Sequence, residues 1–156
     1  MTEELTVVIS QASQRHLYTL AVLSKEFFSY AGISFDEVKR RVNSHNIRYL
    51  IAEINGKTVG FADYEISGTQ CKFMGVAVLP EFQGKGIAKK LVQTIMGKAE
   101  EAGCDRVYLM VAEDNEPAIS LYRASGFQNK GKSEKILNNK AILIMDKQLK
   151  PDRSYL

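Results

Sequence analysis

The stretch Val76-Ala77-Val78-Leu79-Pro80-Glu81-Phe82-Gln83-Gly84-Lys85-Gly86-Ile87-Ala88 decides how this chain is read. Val76 to Leu79 is apolar and β-branched, as in a buried strand, and Pro80 ends it. Two glycines, Gly84 and Gly86, then open onto a helix running to about Ala102. Its apolar face is Ile87, Leu91, Ile95 and Ala99, with Val92, Met96 and Ala102 alongside. The first N–H groups of a helix lack intrahelical partners. With the positive end of the helix dipole they form a seat for an anion. Gly84 and Gly86 let the backbone approach such an anion, and Lys85, Lys89 and Lys90 add positive charge around it. Ile87 stands where a Walker A motif needs lysine, and Lys89 stands where a dinucleotide fingerprint needs its third glycine. Taken alone, the turn reads equally well as a strand-turn-helix without a ligand.

Working outward, Leu5 to Ile9 reads as a strand and Ala12 to Tyr30 as a helix stopped by Gly32. Ser34, with Glu37 three residues on, has capping-box spacing and starts a short helix to about Ser44. Arg48–Ile54 and Lys57–Ile66 flank Asn55-Gly56, a two-residue hairpin turn. Cys71–Leu79 continues an antiparallel meander. Beyond the central helix, Arg106–Ala112 is a strand on which Val107, Leu109 and Val111 alternate. A helix runs from Pro117 to Ser125 and Gly126 stops it. A strand starts at Phe127, Leu137–Lys140 is a turn, and Ala141–Leu149 is the last strand. The order β α α β β β α β α β β describes an α+β (mixed α/β) three-layer domain.

At 156 residues the chain fits one domain spanning 1–156. An apolar fraction of 45% with 25% charged residues excludes disorder. A net charge of +3 is too weak to indicate nucleic acid. No apolar run is long enough for a membrane span, and the N-terminus lacks signal-peptide features, so a cytoplasmic location is expected. Two cysteines, Cys71 and Cys104, and two histidines, His16 and His45, do not make a disulfide scaffold or a metal centre. The cysteines read as buried small hydrophobes, the histidines as surface or capping residues.

A second motif lies one strand after the glycine turn: Asn115-Glu116-Pro117-Ala118-Ile119-Ser120-Leu121-Tyr122-Arg123-Ala124-Ser125-Gly126-Phe127. Together the two elements resemble the GNAT superfamily of N-acetyltransferases. Gln83-Gly84-Lys85-Gly86-Ile87-Ala88 matches the family's Gln/Arg-x-x-Gly-x-Gly/Ala motif. Asn115, Ala118, Leu121-Tyr122 and Gly126-Phe127 match its later segment. The resemblance implies a mostly antiparallel sheet of about seven strands, splayed at its centre, with four helices. It implies acetyl-CoA as co-substrate, its pyrophosphate on the backbone of Gln83 to Lys89 (Gln83, Gly84, Lys85, Gly86, Ile87, Ala88 and Lys89). The pantetheine arm would run along Val76, Ala77 and Val78, with the Val78 N–H polarising the thioester carbonyl. Asn115 matches a position that contacts that arm, and asparagine is equally a good helix cap. Tyr122 matches the family's general acid, a phenol able to protonate a leaving thiolate.

The implied reaction is direct attack of a primary amine on the thioester in a ternary complex. The amine must first lose a proton, so a base is expected. The usual carboxylate positions hold Lys72-Phe73-Met74-Gly75 and Leu109-Met110-Val111 instead. The remaining candidates are Glu65 and Asp63 on the hairpin strand, Glu26 and Glu113. Each reads by default as a solvated carboxylate, and Glu65 is the first choice because family bases lie near the splayed strands. The implied acceptor side comprises Phe27, Phe28, Tyr30, Phe35 and Lys130 to Lys140. It suits a protein or peptide amine or a small-molecule amine. Dimerisation is common in the family, which allows a homodimer. The competing reading is an acyl-CoA-binding domain without turnover, acting as a sensor or partner.

Overall fold

The structure is a computed structural model and describes residues 6–28, 31–137 and 139–149. The elements, in chain order, are β1 (Val8–Gln11), α1 (Leu17–Phe27), α2 (Phe35–Val42), β2 (Ile47–Ile54), β3 (Lys57–Ser67), β4 (Gln70–Val78), α3 (Ile87–Glu101), β5 (Arg106–Ala112), α4 (Glu116–Ala124), β6 (Gln128–Leu137) and β7 (Lys140–Gln148). Type and order agree with the sequence reading throughout. The strands form one seven-stranded sheet in the order β1-β2-β3-β4-β5-β7-β6. β1 pairs antiparallel with β2, and β7 antiparallel with both β5 and β6. The β4–β5 ladder is parallel and joins Gln70–Lys72 to Arg106–Tyr108.

Two boundaries moved for identifiable reasons. The expected first helix begins later because Ser13 and His16 cap each other, closing a short 3-10 turn at Gln14–His16 before α1 starts. The expected first strand is displaced to Val8–Gln11, while Leu5 and Tyr30 fall outside the described residues. The Asn55-Gly56 turn has positive φ at both residues, +50° and +79°, as a two-residue hairpin requires. Ser34 caps α2 by accepting a hydrogen bond from the Glu37 N–H. The Glu37 carboxylate instead meets Arg40, at 2.6 and 2.9 Å.

The chain resolves into two compact units. The first runs up to Tyr64 and resumes over Gly75–Leu91. Its core is built by Leu17, Leu20 and Leu23 of α1, Val38 of α2, Ile47, Tyr49 and Ile51 of β2, Phe61 of β3 and Ala77 of β4. The β2 sequence Ile47-Arg48-Tyr49-Leu50-Ile51-Ala52-Glu53-Ile54 is apolar at nearly every position, and it is buried on both faces. Gly60 is required where β3 approaches β4: a Cβ there would lie 2.8 Å from the Ala77 carbonyl oxygen.

The second unit takes Glu65–Met74 and the residues from Val92 onward. Val107, Leu109 and Val111 of β5 are buried, as their alternation predicts. Cys71 and Cys104 are buried free thiols, and burial pushes the Cys71 thiol up to about 12. Asp146 on β7 is buried and accepts from the Arg106 guanidinium at 2.7 Å. On α3 the expected apolar face is buried from Ile87 to Ala99, whereas Ala102 lies past the helix end and is exposed.

Candidate active site

The glycine turn before α3 belongs to the first unit. Pro80–Phe82 forms a 3-10 turn, and Gly84 and Gly86 follow with φ of +77° and +82°. A Cβ at either glycine would have nothing within 4 Å, so the turn presents bare backbone to open space. The Lys90 N–H donates to the Gly86 carbonyl at 3.0 Å, a normal intrahelical bond. The N–H groups of Ile87, Ala88 and Lys89 precede it and have no carbonyl inside α3 to meet. Lys85 and Lys89 are exposed beside them. Lys90 Nζ donates to the Val7 carbonyl, and Lys57 lies over the Phe82 ring.

Gln83 is engaged within the turn itself. Its N–H donates to the Pro80 carbonyl at 3.2 Å, and its side-chain amide donates to the Val78 carbonyl at 3.0 Å. The glutamine thus ties the turn to the end of β4. Val76 is half-buried, and Ala77 and Val78 are buried. The three residues lie beyond the β4–β5 ladder, which ends at Lys72.

The second unit carries Tyr122, Asn115 and Glu65. Tyr122 is buried on α4, with its ring edge-on to Phe73 at 5.6 Å and to Phe127 at 5.9 Å between centroids. The Phe127 N–H donates to the Tyr122 carbonyl after the left-handed Gly126, which fixes the end of α4 around the tyrosine. Asn115 caps α4: its Oδ1 accepts from the Ala118 N–H at 3.3 Å. Glu65 is half-buried on β3.

The other carboxylates divide sharply. Glu26 and Glu113 are exposed, and Glu113 pairs with Lys132 at 3.3 Å. Asp63 is not solvated, contrary to expectation. It is buried in the first unit and its Oδ2 accepts from Arg41 Nη1 at 3.3 Å. The same Nη1 donates to the Tyr49 hydroxyl at 3.0 Å, and Arg41 Nε lies 3.8 Å from Glu37. Loss of hydration raises the Asp63 carboxyl to about 7 against the opposing pull of Arg41. Burial likewise pushes the Tyr49 phenol up to about 12. Arg41 and Tyr49 had no motif to mark them. Period-two alternation is the signal that could have placed Asp63 inside, since Val59, Phe61 and Asp63 share one face of β3.

His16 is also buried rather than at the surface. Its Nδ1 accepts from the Ser13 N–H at 3.0 Å, as a cap, and its Nε2 lies 3.6 Å from the Glu53 carboxylate. Among the described residues no group of His, Cys, Asp and Glu could hold a metal ion, and no helix is long and apolar enough to cross a membrane.

Comparison with known proteins bears on this geometry. An acetyltransferase of Pectobacterium atrosepticum is 34% identical over 86 residues, a match covering 55% of this chain and 61% of that protein. An N-acetyltransferase from Thermoplasma acidophilum, solved in complex with coenzyme A, superposes with a TM-score of 0.79 at 21% identity, over 92% of this chain and 99% of the other. Spermidine N-acetyltransferase from Vibrio cholerae, solved with CoA and spermine, gives 0.76 at 21% identity, over 92% and 95%. These two likenesses establish the fold. The model of the acetyltransferase (GNAT) family matches residues 11–127, which contain both the glycine turn and the Tyr122 segment, and the chain belongs to that family.

Proposed function

We propose that the protein is an acetyl-CoA-dependent N-acetyltransferase that moves an acetyl group to a primary amine by direct attack. The observation that carries this reading is the turn itself. Two left-handed glycines with open space before them lead into a 15-residue helix whose first N–H groups face outward unpaired within the helix. That backbone fits a pyrophosphate. In this reading the N–H groups from Gly84 to Lys89 hold the diphosphate of acetyl-CoA, and Gln83 keeps the turn in shape. Val76 to Val78 pair with the pantetheine arm, Asn115 contributes its side-chain amide, and the Val78 N–H steadies negative charge on the thioester oxygen. Acetyl-CoA supplies the activated acyl group. Tyr122 gives its phenolic proton to the departing sulfur. A carboxylate on β3 takes the proton that the acceptor ammonium must lose, and both Glu65 and Asp63 stand on that strand.

The acceptor is a primary amine, either of a small molecule or of a protein. CoA release from acetyl-CoA tests the reading with polyamines, aminoglycosides, amino acids, Lys-containing peptides and peptides of varied N-terminus. Turnover with one class is expected. Tyr122→Phe should then lower the rate by about 100-fold or more while acetyl-CoA still raises the Tm. Acetyl-CoA binding without turnover on any acceptor would favour the sensor reading. Absence of any thermal shift with acetyl-CoA would overturn the assignment of the glycine turn.

A further inference from the structure

We propose that Asp63 is the group that takes the proton from the acceptor's ammonium, and that Arg41 holds it in position. This rests on the transferase reading above and names its base. The first argument is placement. Asp63 Oδ1 lies 3.6 Å from where a Cβ of Gly75 would stand, and Gly75 directly precedes the Val76–Val78 segment assigned to the thioester arm. The carboxylate therefore lies against the β4 backbone one residue before that segment. Gly75 bears no side chain, and the Phe28 ring packs at the same place, its Cζ 3.0 Å from that point.

The second argument is the division of labour between the two carboxylate oxygens. Oδ2 is held by Arg41, which is fixed in turn by the Tyr49 hydroxyl and Glu37. Oδ1 is the oxygen on the Gly75 side. The groups facing Asp63 are Arg41, backed by Glu37, from α2, and Tyr49 from β2. β4 presents Gly75, and the residue after α1 presents the uncharged Phe28 ring. Arg41 and a hydrogen bond from the Asp63 backbone N–H oppose the cost of burial without cancelling it, and the carboxyl changes charge near neutrality, where a general base works best.

The chemistry balances. R–NH3+ gives one proton to Asp63. The neutral amine attacks the acyl carbon, the C–N bond forms and the C–S bond breaks. The nitrogen loses its second proton and the thiolate gains one, giving amide and thiol with one net proton released.

The test uses two nucleophiles on the full chain, n-butylamine and hydroxylamine. The first is almost wholly protonated at neutral pH and needs a base, and the second is largely neutral already. Asp63→Asn should lower the n-butylamine rate about 100-fold and leave the hydroxylamine rate within a few-fold. Wild-type turnover of n-butylamine should fall as pH drops through about 7. Arg41→Gln should move that limb to higher pH, because Arg41 holds the carboxyl down, and Arg41→Lys should partly restore it. Equal loss with both nucleophiles would reduce Asp63 to a structural part and overturn the proposal. So would an unchanged Asp63→Asn rate with loss in Glu65→Gln. If neither nucleophile is turned over while acetyl-CoA still raises the Tm, carbon-13 NMR titration decides. An Asp63 midpoint near 7 that methylamine lowers supports the role, and a carboxyl indifferent to methylamine overturns it. No thermal shift with acetyl-CoA at all would mean that the transferase reading failed first.

Discussion

Asp63 shows how one residue can be legible in identity and illegible in environment. Its sequence context names a carboxylate on a strand, but desolvation depends on α2 and β2, which come from other parts of the chain. Its folded-state value is raised above the usual carboxylate range, to about 7. The native state therefore binds a proton that the unfolded chain releases, and between the ordinary value of 3.8 and about 7 this group's contribution to stability declines as pH rises. Asp63→Asn should flatten that decline, as urea unfolding at successive pH values would show in the difference between wild type and variant. A constant difference across the range would mean the carboxyl is not raised. Tyr122 is the opposite case, since its motif marked it, and the structure adds the aromatic rings that enclose it.

At the scale of elements, Gly60 and Gly97 should respond oppositely to alanine. Gly60 on β3 faces the Ala77 carbonyl, a backbone atom that cannot swing aside, so Gly60→Ala should destabilise by about 1–3 kcal/mol. Gly97 lies within α3 with nothing within 4 Å of its Cβ position, so Gly97→Ala should stabilise by about 0.5–1 kcal/mol. Denaturant midpoints check both. Element type was readable throughout because each segment carried its own period and its own stops: Gly32, Asn55-Gly56, Pro80 and Gly126. Boundaries were readable only where a local cap set them. The start of α1 was misplaced because the cap at Ser13 uses a histidine, which standard capping rules do not favour. The strand-turn-helix geometry around Gly84 and Gly86 was readable because all its parts are local in sequence. The Arg41–Asp63–Tyr49 cluster was not, because its members are joined only by sheet and helix packing.

For the whole molecule, β3, β4 and α3 each supply residues to both compact units. No loop can be cut to release one unit intact, so we expect a single calorimetric transition with agreement between calorimetric and van't Hoff enthalpies. Two resolved transitions would show that the units unfold separately. Acetyl-CoA at about 100 times its Kd should stabilise that transition by about 2.7 kcal/mol. Gly86→Ala, at φ +82°, should destabilise the free protein by about 1 kcal/mol through left-handed backbone strain and should reduce this ligand-dependent gain as well.

β6 is the outermost strand on its side of the sheet and is exposed along almost its whole length. It carries Lys130, Lys132 and Lys135, and its register with β7 shifts twice. An open strand edge invites a neighbouring molecule to add its own strand, and clustered lysines and irregular pairing are the features that discourage such addition. The exposed Ile136 and Leu137 at its far end would otherwise make this border adhesive. The lysines therefore act as guards against fibril growth, and replacing Lys132 and Lys135 by threonine should make concentrated solutions turn turbid.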